Sequence, residues 1–203
     1  MTRRATAAVT EPPVFHFDPS EHAYSLNGET IPSITQMLAQ CGFIKDEFYT
    51  EEAAARGTLV HSLTAQFDLG AITAPQAIEC IWKGFVLAHI SAMQTLKPEI
   101  LSVEVARCSL EHRFGGRPDR TLRLWGALGV LDLKTGGKED WHGYQLALQS
   151  ILVAPEFGLP PSAGQRHGLY LRANGKWTLV EYKGRRDFDT AHEVIKACAR
   201  PAA

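Results

Sequence analysis

No stretch of the chain approaches the ~18 consecutive apolar residues of a membrane-spanning helix, so no membrane partner is expected. The first ten residues, Met1-Thr-Arg-Arg-Ala-Thr-Ala-Ala-Val-Thr10, carry two arginines with no apolar run behind them, and no secretion signal is expected. Cysteine is scarce and scattered. Cys41, Cys80, Cys108 and Cys198 form no Cys-x-x-Cys pair, which argues against a zinc or iron–sulfur site and fits reduced thiols in a cytoplasm. An excess of one charge is missing too. With 21 Lys and Arg against 22 Asp and Glu, the net charge is -1, without the surplus of a protein that merely coats nucleic acid. Internal repeats and low-complexity segments are absent from the sequence.

What is present suits one ordinary globular domain. The chain has 203 residues, 45% of them apolar and 21% charged. A chain of this size buries roughly 70% of its unfolded surface, enough for a core without disulfide or metal. Residues 1–13, small and polar and ending in Pro12-Pro13, read as a flexible tail, and 14–203 as a single domain. Charge is unevenly spread. Between Glu104 and Lys138 stand five arginines and two lysines against four acids, a basic stretch with embedded carboxylates. That pattern suits an anionic substrate held near a metal, or simply a solvated mixed-charge surface.

Strands are expected at Val14–Phe17 and His22–Leu26, with Asn27-Gly28 a hairpin turn before Thr30-Ile31. Ser33 caps a short helix whose Ile34, Met37 and Leu38 share one face and which ends at Gly42. Longer helices are expected over Glu47–Leu69 and Ala74–Leu96. Strands follow at Ile100–Leu110, Arg113–Gly115, Thr121–Trp125 and Leu128–Leu133, then a helix over Trp141–Val153. Strands His167–Leu171 and Trp177–Tyr182 flank the turn Asn174-Gly175, and Phe188–Ala199 is a last helix. The order implies an α/β domain with a mixed, mainly antiparallel central sheet flanked by helices.

The chemistry centres on Gly115-Gly-Arg-Pro-Asp119 and Asp132-Leu-Lys134-Thr-Gly136. With eight lysines and 22 acids, an acid–x–Lys triplet arises about once by chance, and Glu181-Tyr-Lys183 is a second, read as a surface ion pair. Hairpin geometry separates the two. A tight turn at Trp125-Gly126 sets Asp119 directly across from Asp132, where opposed Cβ atoms lie roughly 4.5–5.5 Å apart and like charges repel. A hard dication, Mg²⁺ or Mn²⁺, is the simplest reason for such a pair. Lys134 shares a face with Asp132 because a strand alternates with period two. An ammonium there can stabilise a hydroxide nucleophile or the charge that builds on a phosphoryl transition state. Gly57 lies one helical turn before His61 and leaves bare surface beside it. Trp141, Gln145 and Gln149 form an i, i+4, i+8 stripe, whose amides suit phosphate or nucleobase edges, orientation of the lysine, or a plain polar face.

Pro118-Asp119 and Asp132-Leu-Lys134 resemble the motif of the PD-(D/E)XK nuclease superfamily. Arg56-Gly-Thr-Leu-Val-His61, Asp132-Leu-Lys-Thr-Gly136 with Tyr144-Gln145-Leu-Ala-Leu148, and His22-Ala-Tyr with Ile31-Pro-Ser-Ile-Thr35 resemble its RecB-like, phage-exonuclease branch. The matches span roughly residues 22–149. The resemblance implies a restriction-endonuclease-like core and a Mg²⁺- or Mn²⁺-dependent deoxyribonuclease, an exonuclease of phage recombination or DNA repair working in the host cytoplasm. By that resemblance Asp119 and Asp132 hold metal, with His61, Glu104 and the Leu133 carbonyl as further ligands. Lys134 and Gln145 join the two aspartates as catalytic residues. Arg117, Arg120, Arg123 and Gln149 would contact nucleic acid, although Arg120 also suits pairing with a neighbouring acid. The branch often has tyrosine where Gln149 stands, and the iron–sulfur cysteines of some relatives are absent. DNA is the implied partner, with a phage strand-annealing or recombination protein beside it. Two rival readings are a nucleic-acid-binding module of the same fold without hydrolysis, and an interaction protein whose carboxylates pair with the nearby arginines.

Overall fold

Turn chemistry shapes the first layer of the molecule, seen in a computed structural model that describes residues 12–45 and 50–198. Strands β1 (Phe15–Asp18), β2 (Ala23–Leu26) and β3 (Glu29–Ile31) form an antiparallel sheet of their own. Asn27 and Gly28 take φ of 53° and 81°, the left-handed pair that a two-residue hairpin requires. Ser33 then caps α1 (Ile34–Gln40) in a reciprocal box with Gln36 and buries Ile34, Met37 and Leu38 as the spacing implies. Of the expected tail only Pro12-Pro13 falls among the described residues. The expected helix start at Glu47 and the residue Ala199 fall outside them.

Helix α2 (Glu51–Asp68) is capped by Thr50. The single helix expected over Ala74–Leu96 is two, α3 (Ala74–Ala77) and α4 (Lys83–Leu96). The break has a packing cause. Ile78, Cys80 and Trp82 all lean on one apolar cluster, and residues two apart cannot share a helix face. The single strand expected over Ile100–Leu110 also divides, into β4 (Glu99–Val103) and β5 (Arg107–Ser109), with Glu104 turning the chain at φ 51°. β5 pairs with β6 (Phe114–Gly116) in a separate two-stranded sheet.

The central sheet adds β7 (Arg120–Leu124), β8 (Ala127–Lys134), β9 (Gln165–Leu171) and β10 (Trp177–Glu181), in the order β10-β9-β8-β7-β4. Only β8 and β9 run parallel, joined through α5 (Trp141–Val153); the other three pairings are antiparallel, as a mixed and mainly antiparallel sheet requires. Trp125 and Gly126, at φ 52° and 84°, make the tight turn, and Arg120 pairs Leu131 in the register expected from it. Strand alternation then divides the faces. Leu122, Leu124, Leu131, Leu133, Leu169 and Leu171 pack against α2 and α4, while Val130 meets Leu146 and Val153 of α5. The last helix, α6 (Arg185–Cys198), closes over α5 and α1. Helices thus flank the sheet on both faces. No helix among the described residues is long and apolar enough to cross a membrane.

Candidate functional site

Two glycines deliver the first acid. A Cβ at Gly115 would stand 2.5 Å from the Tyr24 ring, and one at Gly116 2.6 Å from Ile34 Cδ1. Only a bare backbone fits between the N-terminal sheet and α1, and the chain leaves this slot along Arg117 and Pro118 into Asp119. The Asp119 carboxylate, 6% exposed as a residue, accepts a 2.6 Å hydrogen bond from the Leu133 backbone amide. It thereby reaches across the hairpin toward the strand that carries Asp132.

His61 arrives from α2. Its Nε2 lies 3.1 Å from the Leu133 carbonyl, an acceptor only, so that nitrogen carries a proton and Nδ1 faces the acids. Nδ1 is 3.3 Å from Asp119 Oδ1 and 3.7 Å from Glu104 Oε1. One donor atom each from His61, Glu104 and Asp119 lies within 4.8 Å of the others, a grouping able to hold a cation. Glu104 reaches this position through its left-handed backbone. Its amide still bonds the Asp119 carbonyl at 3.0 Å, while its side chain leaves the direction that a continued strand would give it. Burial alone would depress the His61 pKa, but the Asp119, Glu104 and Asp132 carboxylates outweigh it and raise it to about 10.

Asp132 stands beside this trio rather than within it. Its Oδ2 is 2.6 Å from Lys134 Nζ, and its Oδ1 accepts from Gln149 Nε2 at 2.8 Å. Lys134 also donates to Gln145 Oε1 at 2.6 Å and lies 5.0 Å above the Trp141 ring. The stripe on α5 is therefore a cage, with Trp141 and Gln145 on the ammonium and Gln149 on its carboxylate. The two aspartates are held differently. Burial raises Asp119, yet His61, the Leu133 amide and Lys134 prevail and lower it. Burial and the Asp119 charge raise Asp132 beyond what Lys134 and Gln149 offset. Environments that push paired carboxyls apart are a mark of functional sites.

Several expected roles change in this geometry. Gln149 is 3% exposed and spends its amide on Asp132, so it does not face nucleic acid. Arg120 is fully buried. It pairs with Asp68 at 2.6 Å and donates to the Asp119 carbonyl at 2.7 Å, which leaves no guanidinium for a phosphate. Arg123 is half-exposed beside Glu99, four residues along the chain from Asp119 toward the turn. Arg117 adjoins the carboxylates with Nε 3.0 Å from Glu104 and its side chain one-third exposed, whereas Arg120 approaches Glu104 at 3.9 Å from a buried position. The Leu133 carbonyl accepts the hydrogen bond from His61 Nε2. Gly57 has open space around it, and Lys183 pairs with Glu181 at 2.8 Å, 77% exposed, as a surface ion pair.

The residues missed in the sequence lie beneath the site. Asp68 accepts from Arg120 and lies 2.9 Å from His89 Nε2, while Thr64 lies 3.4 Å from the Arg120 guanidinium. His61, Thr64 and Asp68 fall at i, i+3 and i+7 on α2, a polar stripe on an inward face that was there to be read. In chemical terms the trio offers one imidazole nitrogen and two carboxylate oxygens. That set suits Mg²⁺ or Mn²⁺, and a ligating imidazole whose other nitrogen bonds a backbone carbonyl is the usual supporting arrangement. Compared with known proteins by sequence, the chain matches no family model and no curated relative.

Proposed function

We propose that the chain is a metal-dependent deoxyribonuclease of the PD-(D/E)XK type, with a restriction-endonuclease-like core, hydrolysing DNA phosphodiesters with Mg²⁺ or Mn²⁺. The observation that carries this reading is the convergence, at one end of the β7–β8 hairpin, of the His61–Glu104–Asp119 donors with the Asp132–Lys134 pair. Exonuclease action in phage recombination or DNA repair, in a host cytoplasm and beside a strand-annealing partner, is what the sequence resemblance adds.

His61, Glu104 and Asp119 would hold the ion, with Asp132 as the adjoining acid. Bound there, it would polarise a phosphodiester oxygen and acidify a water. Lys134 uses two N–H directions on Asp132 and Gln145, and the third is left for a water or a phosphate oxygen. Gln145 and Gln149 act as positioning residues, fixing the ammonium and its carboxylate so that neither must reorganise during reaction. Arg117, at the edge of the carboxylates, supplies a sequence-independent phosphate contact.

The test is incubation of linear and circular DNA with Mg²⁺ or Mn²⁺, wild type against Lys134→Ala. Linear DNA should disappear only with metal, and the variant should lose at least a hundredfold in rate with its fold intact. Equal rates would defeat the lysine assignment. Metal-independent DNA binding with no cleavage in Mn²⁺ would favour a binding module instead.

A further inference from the structure

Next to the carboxylates lies a group of rings that the cation chemistry leaves unused. The N-terminal sheet is locked to β6, the strand that leads toward Asp119, where the Tyr24 side chain packs on Gly115 and the Gly115 amide donates to Pro32 O at 2.9 Å. This fixes Phe17 and His22 beside Arg117. The Arg117 guanidinium lies 5.5 Å from the Phe17 ring centre, and the His22 ring meets Phe17 edge-on at 5.4 Å and 90°. His22 itself is exposed, with its backbone in the left-handed region at φ 51°. Arg117 is one-third exposed and pairs with Glu104 through Nε, while its two terminal nitrogens have no partner among the described residues. Burial and the Arg117 charge hold His22 below the usual histidine range against the pull of Glu104, so its ring is neutral at pH 7.

A cation fork with two free donors, flanked by an exposed neutral ring, has the two elements that bind single-stranded nucleic acid without reading sequence. The fork takes a phosphate and the ring a base face. A base inside a duplex keeps its faces covered by its neighbours. We propose that Phe17, His22 and Arg117 form a stacking ledge for an unpaired nucleobase at a DNA strand end, with Arg117 on the adjoining phosphate, beside the cation donors. The inference rests on the nuclease reading and adds to it the substrate form: a single-stranded or frayed end rather than an intact duplex. The N-terminal sheet then acts as a substrate-binding element and is more than a cover over Gly115.

The test measures binding, in Ca²⁺, of a short single-stranded oligonucleotide carrying 2-aminopurine at one end and then at the other. Wild type is compared with His22→Asn, which keeps a residue tolerant of left-handed backbone but removes the ring, and with Phe17→Leu, which keeps an apolar contact for Tyr24. Each variant should bind about five- to tenfold more weakly, with brighter 2-aminopurine emission as stacking is lost. An abasic end nucleotide should weaken wild type similarly and make the variants indistinguishable from it. If both variants bind the intact oligonucleotide as wild type does, the ledge is overturned and the nuclease reading stands. If wild type fails to bind the single strand yet degrades linear duplex DNA with metal, the ledge alone is overturned, and failure on both forms overturns both.

Discussion

Glu104 shows how much one backbone angle decides. A glutamate at φ 51° forgoes the conformation that its side chain prefers, at a cost of roughly 1–2 kcal/mol, and in return its carboxylate faces His61. Glycine carries no such penalty. Glu104→Gly and Glu104→Ala both lose the carboxylate, so urea denaturation should find the glycine variant more stable by about 1 kcal/mol, the reverse of the usual order. An alanine variant as stable as the glycine one would refute the left-handed geometry. At this scale the sequence was partly legible. The facing of Asp119 and Asp132 followed from a two-residue turn, and the shared face of Asp132 and Lys134 from strand alternation. The twist at Glu104 did not, because it is imposed by tertiary contacts that no local pattern encodes. Arg120 lay between. Alternation already set it on the opposite face from Asp119, under α2, where a phosphate has no access.

Among the elements, α2 does more than supply His61. Its polar stripe ends at Asp68, which neutralises the fully buried Arg120 and so steadies the Asp119 carbonyl and, at 3.9 Å, the Glu104 carboxylate. Removing one partner of such a buried pair strands the other charge. Asp68→Ala should therefore cost about 3–5 kcal/mol in urea denaturation, against under about 1 for the exposed Glu193→Ala on α6. A loss below 1 kcal/mol would mean that Arg120 has another route to compensation. Helix α5 was legible as an element, and its Trp141–Gln145–Gln149 spacing as a stripe, but not which way the stripe faced. Its amides point inward because Asp132 and Lys134 are themselves covered by α5. The divided helix at 78–82 escaped because apolar residues two apart mimic one face only when the chain abandons helical period.

For the whole molecule, buried histidines held below their ordinary range contribute to the response to acid, beside the lowered Asp68 and Asp119 carboxyls. Burial, reinforced by Lys134 and Lys138, brings His142 down to about 3, and its Nδ1 accepts from Tyr170 at 2.8 Å. Burial lowers His167 as well; it is fully buried, and neither ring nitrogen has a partner among the described residues. Below the unfolded value near 6.5 the unfolded chain takes up protons that the native state refuses, so stability falls as pH drops toward 3. His61 works the other way: its raised pKa contributes stability that is present below about 6.5 and lost as pH rises through about 10. His167→Leu should raise Tm, and more so at pH 5 than at pH 7.5. An equal rise at both would show that His167 is not a source of the acid sensitivity.

The three grouped donors sit 43 and then 15 positions apart along the chain, on a helix, a strand end and the approach to a hairpin. An ion gripping all three would cross-link segments that the unfolded polymer lets drift, and it would bind the native form alone. Mass action then turns affinity into heat resistance. At a hundredfold excess over Kd the gain is about 2.7 kcal/mol, or roughly 5–10 °C for a chain of this length. Melting curves taken across a manganese titration should climb accordingly, and stay flat once Asp119 is replaced by asparagine.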